Sequence, residues 1–371
     1  MNKILFLGPK PPPVTGYANI VNALAKCLVI QKYEVKYIST VPSFLSHLFP
    51  SKVWKISRLI YMFFLFPVII LLIPFNSILY INVNGGAAQI WDIAYALLGR
   101  LFSKKIILHH NSYSYLNKQM NLSKILFLVA GNNATHIVNC ENMRDKLCSL
   151  YSNTTNAHVV SNVAILTLAN PEYFATKIQD KGKLETNKDI FTIGFMGYFN
   201  KEKGLELFSK TVQQANNSIG SGKIKAIAVG PVHDKELVAK IKKEFNGLID
   251  FRGPVYGVKR DEFFEEIDFL LFPSIYLNEA EPLTIHHALY AGTPVISTDI
   301  GCLKEVLNQF PNCYSFSIES FILSSAEIID KLSLTPFEER EKLRLDLIDY
   351  YKQYSLNSIL KLKKILSEEI S

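Results

Sequence analysis

The chain has 371 residues, 49% hydrophobic and 20% charged, which is enough apolar material for two cores of ordinary domain size. Five scattered cysteines, Cys27, Cys140, Cys148, Cys302 and Cys313, argue against a disulfide framework and against zinc-ligand spacing, and favour a reducing compartment. Charge is unevenly spread: residues 1–165 carry 15 Lys and Arg against 4 Asp and Glu, and the remainder 25 against 29. A basic half suits an anionic partner, whether a membrane surface, a nucleic acid or a phosphorylated substrate.

The opening "MNKILFLGPK" reads as a strand entering a loop rather than a signal peptide. Short apolar runs then alternate with helical stretches. Strands are predicted at 3–8, 34–39, 77–83, 104–110, 135–139 and 157–161, with helices at 17–31, 87–101 and 141–150 between them. Strand–helix alternation with near-continuous apolar strands predicts a parallel sheet covered on both faces. Residues 166–189 are polar and aperiodic, and read as a linker. Alternation resumes at 190–197, 224–230, 248–253, 268–273, 293–298 and 313–316. Two doubly wound domains in series follow, 1–163 and 164–354. Their ligands are expected at the strand carboxyl ends, in a cleft between the two sheets. The tail is helical by period, with a break predicted near Tyr354–Ser355 and the segment 355–371 packing back on the first domain.

The apolar run 59–73, "LIYMFFLFPVIILLI", is 15 residues long and interrupted by Pro67. That is short of the roughly 20 residues a spanning helix needs. It reads either as a buried helix of the first sheet layer or as a helix lying partly in one lipid leaflet. In the second case Lys52, Lys55 and Arg58 would sit on lipid phosphates.

Two stretches carry chemistry. In "GFMGYFNKEKGLELF" (194–208) a strand ends at Gly197 and Lys203 stands where the next helix begins, so a cation and free N–H groups converge on an anion. In "NEAEPLTIHHALYAGTPVIST" (278–298) Glu279, Glu281, His286 and His287 crowd the start of a short helix. Pro282 suits its first turn, Gly292 its end, and "PVIS" the strand that follows. In the first half, His109 and His110 end a strand, Gly16 precedes a helix, and Asn84 and Gly85 follow another strand.

These motifs, in this order, resemble the retaining GT-B glycosyltransferases of glycosyltransferase family 4. That family carries Gly-Arg-x-x-x-x-Lys-Gly, matched here by Gly197, Lys203 and Gly204, with Tyr198 in place of the Arg. It also carries two Glu separated by seven residues; Glu279 matches the first and His287 takes the place of the second. The resemblance implies a GT-B fold, two Rossmann-like domains facing a cleft, and transfer of a hexose from a UDP- or GDP-sugar with retention. It implies a front-face reaction in which the leaving phosphate takes the acceptor's proton. It gives Lys203, Gly197, Gly16 and the N–H groups of Leu283 and Thr284 to the donor's phosphates, and Glu279 to the sugar. His287 falls to the ribose, and His110, preferred over His109, to the active site. Asn84 and His109 fall on the acceptor side. No metal, no cofactor and no nucleic acid are expected. With the basic first half, the acceptor is expected to be a lipid-linked bacterial surface glycan (O-antigen, capsule or exopolysaccharide) at the inner face of the membrane. A nucleotide-sugar 2-epimerase and a non-catalytic partner subunit are the alternatives.

Overall fold

The computed structural model describes residues 2–171, 190–219, 224–245 and 247–370. The chain forms two units: one runs from the N-terminus through the helix Asn162–Ala169 and takes in the tail from Ser355, and the other ends at Tyr354. The expected boundary at 163/164 is thereby corrected. It falls within that helix, whose Val163 to Leu166 are buried in the first unit. Residues 166–169 of the expected linker are helical as well, and 172–189 lie outside the described residues.

In the first unit the strands β1 (Lys3–Gly8), β2 (Glu34–Ser39), β3 (Ile78–Asn82), β4 (Lys105–His109), β5 (Thr135–Val138) and β6 (Ala157–Val159) form one sheet in the order β2-β1-β3-β4-β5-β6. In the second, β7 (Phe191–Met196), β8 (Ile224–Val229), β9 (Ile249–Arg252), β10 (Phe269–Phe272), β11 (Val295–Thr298) and β12 (Tyr314–Phe316) run β12-β11-β10-β7-β8-β9. Every pairing is parallel. These are doubly wound sheets, and each has a switch point where successive crossovers depart to opposite sides: β1/β3 in the first and β7/β10 in the second. Within each unit, the loops leaving the carboxyl ends of its two switch-point strands diverge rather than covering one another. The four loops hold Gly16, Asn84, Lys203 and Glu279.

Strand alternation settles which face each side chain serves. Gly99 of the helix Gln89–Leu101 lies against Leu79 and Ile106, so close that a Cβ there would meet Leu79 at 2.7 Å. A Cβ on Gly8, at the end of β1, would meet Val21 of the helix Gly16–Ile30 at 2.7 Å and the Asn82 amide at 2.9 Å. Tyr80, Asn82 and His109 therefore share the face opposite Leu79 and Ile106.

The run 59–73 is part of a longer element. Ser51 caps a helix Lys52–Leu72, accepting from the Trp54 N–H at 3.2 Å, and a short 3₁₀ turn carries it to Phe75. By length and composition these 24 residues could cross a membrane, which corrects the expectation that the run is too short. The buried-helix reading is also corrected. Trp54, Met62 and Ile69 form one buried stripe, while Ile56, Leu59, Ile60, Phe63, Phe64, Val68 and Leu71 are exposed. Phe66 stacks on Tyr95 at 6.2 Å, so the helix is fastened to the helix Gln89–Leu101 along one side only.

The tail is one unbroken 34-residue helix, Phe337–Ile370, and the expected break near Tyr354–Ser355 is absent. Buried Arg344, Ile348, Tyr351, Ser355, Ser358, Leu362 and Ile365 recur at alternating spacings of four and three, a single continuous seam. Ser355 and Ser358 make the seam look interrupted, yet Ser355 Oγ bonds Thr167 Oγ1 at 2.8 Å. The Tyr33 hydroxyl donates to the Leu366 carbonyl at 3.2 Å, tying the helix end to the first unit. Leu362 is buried in this seam. Leu362→Ala should cost about 2–5 kcal/mol, read as a lower urea midpoint for the first unit with the second unit's transition unmoved.

Candidate active site

In the second unit the β7 and β10 loops meet. Gly204 has φ +76°, and a Cβ there would lie 1.7 Å from the Pro273 carbonyl oxygen. Only glycine allows this approach. It brings the Asn200–Gly204 turn onto the end of β10, with Asn200 Oδ1 accepting from the Lys203 N–H at 2.9 Å. The Lys203 ammonium then pairs with the Glu279 carboxylate and lies over the rings of Tyr276 and Phe272, 5.4 and 5.8 Å from their centroids. Ser274 Oγ donates to the same Glu279 oxygen at 3.2 Å. Gly301 (φ +59°) lies beneath this loop, where a Cβ would meet the Glu279 carbonyl oxygen at 2.3 Å. Gly197, by contrast, has room for a Cβ, so its lack of one leaves open space beside Lys203.

The helix Leu283–Tyr290 starts just past this pair. Pro282 is its N-cap, one place earlier than expected, and no side chain caps it. The N–H groups of Leu283 and Thr284 thus face outward at a helix N-terminus, an arrangement that favours anions. His287 lies one turn on, and its Nε2 accepts from Arg260 Nη1 at 3.2 Å. Burial, the Arg260 charge and His286 hold its pKa well below the usual imidazole range, so it is neutral. Glu281 and His286 form a buried pair, Oε1 to Nε2 at 2.8 Å, which supports the helix from within. Tyr198 stacks on His233, centroids 4.0 Å apart.

In the first unit the adjacent histidines diverge. His110 is buried with both ring nitrogens engaged: Nδ1 with the Tyr115 hydroxyl at 2.8 Å and Nε2 with His136 Nδ1 at 3.0 Å. His136 Nε2 continues the chain to the Asn153 carbonyl at 3.2 Å. His109, on the opposite face, bonds the Tyr80 hydroxyl through Nδ1 at 2.8 Å, while its Nε2 has no partner among the described residues. The neighbouring Asn82 Oδ1 is likewise unsatisfied. Free polar atoms of this strand end thus include His109 Nε2 and Asn82 Oδ1, with Asn111 Oδ1 and Ser114 Oγ in the loop beyond, but none on the His110 ring. Gly16 is the first residue of its helix, capped by Thr15 Oγ1 accepting from Ala18 N at 3.1 Å.

Asn84 is committed on both sides. Its backbone and side-chain N–H groups donate to Asp92 at 2.8 and 2.7 Å, and its Oδ1 accepts from Arg58 Nη2 at 2.7 Å. Arg58 also donates to the Thr40 carbonyl at 3.2 Å. This corrects the expectation that Arg58 sits on lipid phosphates: it turns inward and fixes the β3 loop to the apolar helix. The sequence gives no sign of Asp92 as its anchor, because an acid in the first turn of a helix is ordinary.

Residues 190–329 match the family model "Glycosyl transferases group 1". No curated protein matches the chain in sequence. Among solved structures, HepE of Anabaena in complex with UDP superposes with TM-score 0.67 at 15% identity over 99% of this chain and all of that one. OtsA superposes at 0.68 with 12% identity, covering 100% and 99% of the two chains. The pneumococcal O-GlcNAc transferase GtfA, in complex with UDP and GlcNAc, matches at 0.55 and 14% over 79% of this chain and 57% of its own. The fold is GT-B, and the second unit carries a glycosyltransferase domain: the protein is a glycosyltransferase.

Buried ionisable groups make the first unit sensitive to pH. Burial lowers His109 to about 3 and His136 to about 4, and takes His110 well below its usual range. Below pH 6.5 the unfolded chain binds protons on these rings that the folded chain refuses, so stability falls with acid. Asp92 acts oppositely. Burial, against the Asn84 N–H groups and Arg58, raises it to about 7, so between pH 4 and 7 the folded state holds the extra proton. The net is two protons, or up to roughly 2–3 kcal/mol lost from pH 6 to 5. Asp92→Asn should steepen that slope by about 1.4 kcal/mol per pH unit, measured by urea unfolding across pH 5–8.

Proposed function

We infer that the protein transfers a hexose, with retention, from a nucleoside diphosphate sugar to a lipid-linked glycan at the inner face of a bacterial membrane. The observation that carries the donor half is the Lys203–Glu279 pair at the β7/β10 switch point, beside the N-terminus of the helix Leu283–Tyr290. A pyrophosphate needs a cation and backbone donors, and Lys203, Leu283 and Thr284 supply them within one loop cluster. Glu279 then exchanges its lysine for sugar hydroxyls. HepE and GtfA, solved with UDP, favour a uridine nucleotide. His287, neutral and held by Arg260, takes the ribose with a single nitrogen or N–H in place of a two-oxygen carboxylate. Tyr198 leaves the pyrophosphate one cation short. His109 Nε2, not His110, is the imidazole atom available to a ligand.

The membrane half rests on the helix Lys52–Leu72. A spanning helix is surrounded by lipid, but this one is fastened along Trp54, Met62 and Ile69 between two strands of one sheet. Its opposite side is apolar and exposed, the geometry of a helix lying in the interface.

Titration calorimetry with UDP, GDP and their sugar conjugates tests the donor half. UDP and one UDP-sugar should bind, and Lys203→Ala should weaken them by about 1.5–3 kcal/mol. Glu279→Gln should abolish turnover while UDP affinity holds or rises, because the competing carboxylate is gone. If no nucleotide binds, Tyr198 and His287 mark a lapsed donor site and the chain acts as a non-catalytic partner.

A further inference from the structure

At the amino ends of β4 and β5, the edge of the sheet remote from His109 and Asn84, lies an open cavity of about 840 Å³. Arg100, Lys104, Lys105, Asn132, Asn133 and Asn156 line it. Two of its three cations, Arg100 and Lys104, are held in place by carbonyl groups rather than cancelled by acids. Arg100 Nη1 donates to the Leu128 and Val129 carbonyls at 3.3 and 3.1 Å, at the end of the helix Asn121–Ala130. Gly131, φ +81°, makes room for that guanidinium; a Cβ there would meet Nη1 at 3.0 Å. Lys104 Nζ donates to the Pro74 carbonyl at 3.1 Å. Neither Arg100 nor Lys104 has a carboxylate partner among the described residues. Glu369 also lines the cavity, but its charge is taken by Lys105 at 3.3 Å and a Thr135 hydrogen bond at 2.6 Å.

The surroundings identify the anion. Pro74 ends the exposed apolar helix, and Leu71, Phe75, Leu101, Phe102 and Leu128 stand exposed on the elements around the cavity. Basic charge beside exposed apolar side chains suits a molecule with a phosphate at one end and acyl chains at the other. Lys52 and Lys55 stand at the far end of the same helix, about 30 Å away at 1.5 Å per residue.

We propose that this cavity binds the phosphate headgroup of an anionic phospholipid, seating the carboxyl end of the helix Lys52–Leu72 in the leaflet. The proposal rests on the reading that the protein works at a lipid surface. Its test is co-sedimentation of the full chain with phosphatidylcholine vesicles, with and without phosphatidylglycerol. The wild type should bind the anionic vesicles. Arg100→Gln/Lys104→Gln should weaken binding about thirtyfold, at roughly a tenfold loss or less per charge. Asn133→Glu, at an exposed turn, should weaken it in the same direction. Lys361→Gln/Lys363→Gln, which removes the same charge from the exposed side of the tail helix, should change it less than threefold. Equal weakening by the two double variants, with Asn133→Glu without effect, would overturn the cavity and leave the lipid reading intact. Failure of the wild type to bind either vesicle would overturn both. Saturable binding of sn-glycerol 3-phosphate without vesicles, undiminished by anionic lipid, would make it a site for a soluble phosphate and overturn the lipid assignment.

Discussion

The contact between Gly204 and the Pro273 carbonyl is the constraint on which the donor site depends. Parallel sheets send every functional loop to one edge, and the switch point separates two of those loops. Separation alone makes a crevice without chemistry. Because residue 204 has no side chain, the β7 loop can close onto the end of β10, and Lys203 reaches Glu279. Ser274, Gly301 and the uncapped start of the helix Leu283–Tyr290 then follow as parts of one arrangement. The cation thus comes from a segment 76 residues before the carboxylate, and the backbone donors follow the carboxylate directly.

The first unit uses the same edge differently. Its polar groups are mostly consumed internally. Arg58, Asn84 and Asp92 lock the β3 loop, and His110, Tyr115 and His136 lock the end of β4. Among the atoms left unsatisfied in the described residues, His109 Nε2 and Asn82 Oδ1 sit on the face shared with the start of the helix Gly16–Ile30. The guanidinium of Arg58 joins that loop to the apolar helix, so the exposed apolar helix and the loop beside the strand ends are tied to each other.

Much of this was legible in the sequence. The central parallel strands are short continuous apolar runs ended by Gly, Pro or polar residues, and the edge strands, such as EVKYIS and IDFR, mix polar with apolar residues; the described strands fall where such runs lie. Lys203 and Glu279 are legible because their loops carry glycine and proline punctuation at fixed offsets. Orientation was harder to read. "HH" at a strand end puts one ring on each face, and the choice between them depends on Tyr115 and His136, which only the fold brings near. The run 59–73 reads either as core or as a leaflet helix because composition does not reveal what covers a helix; among the described residues most of it is uncovered. The tail seam is hidden by two serines, one of which meets a threonine 188 residues earlier in the chain.

The first unit is also discontinuous in the gene's order. Its sheet is complete by Val159, but the seam from Ser355 to Ile365 that belongs to the same unit is made only after the second unit. At ordinary translation speeds of about 5–20 residues per second, roughly 10–40 s pass between the two. Throughout that interval the nascent chain carries a nearly finished basic domain with its closing helix missing, while the second unit is completed and folds behind it. The first unit thus gains its closing seam only after the residues of the second unit have been made.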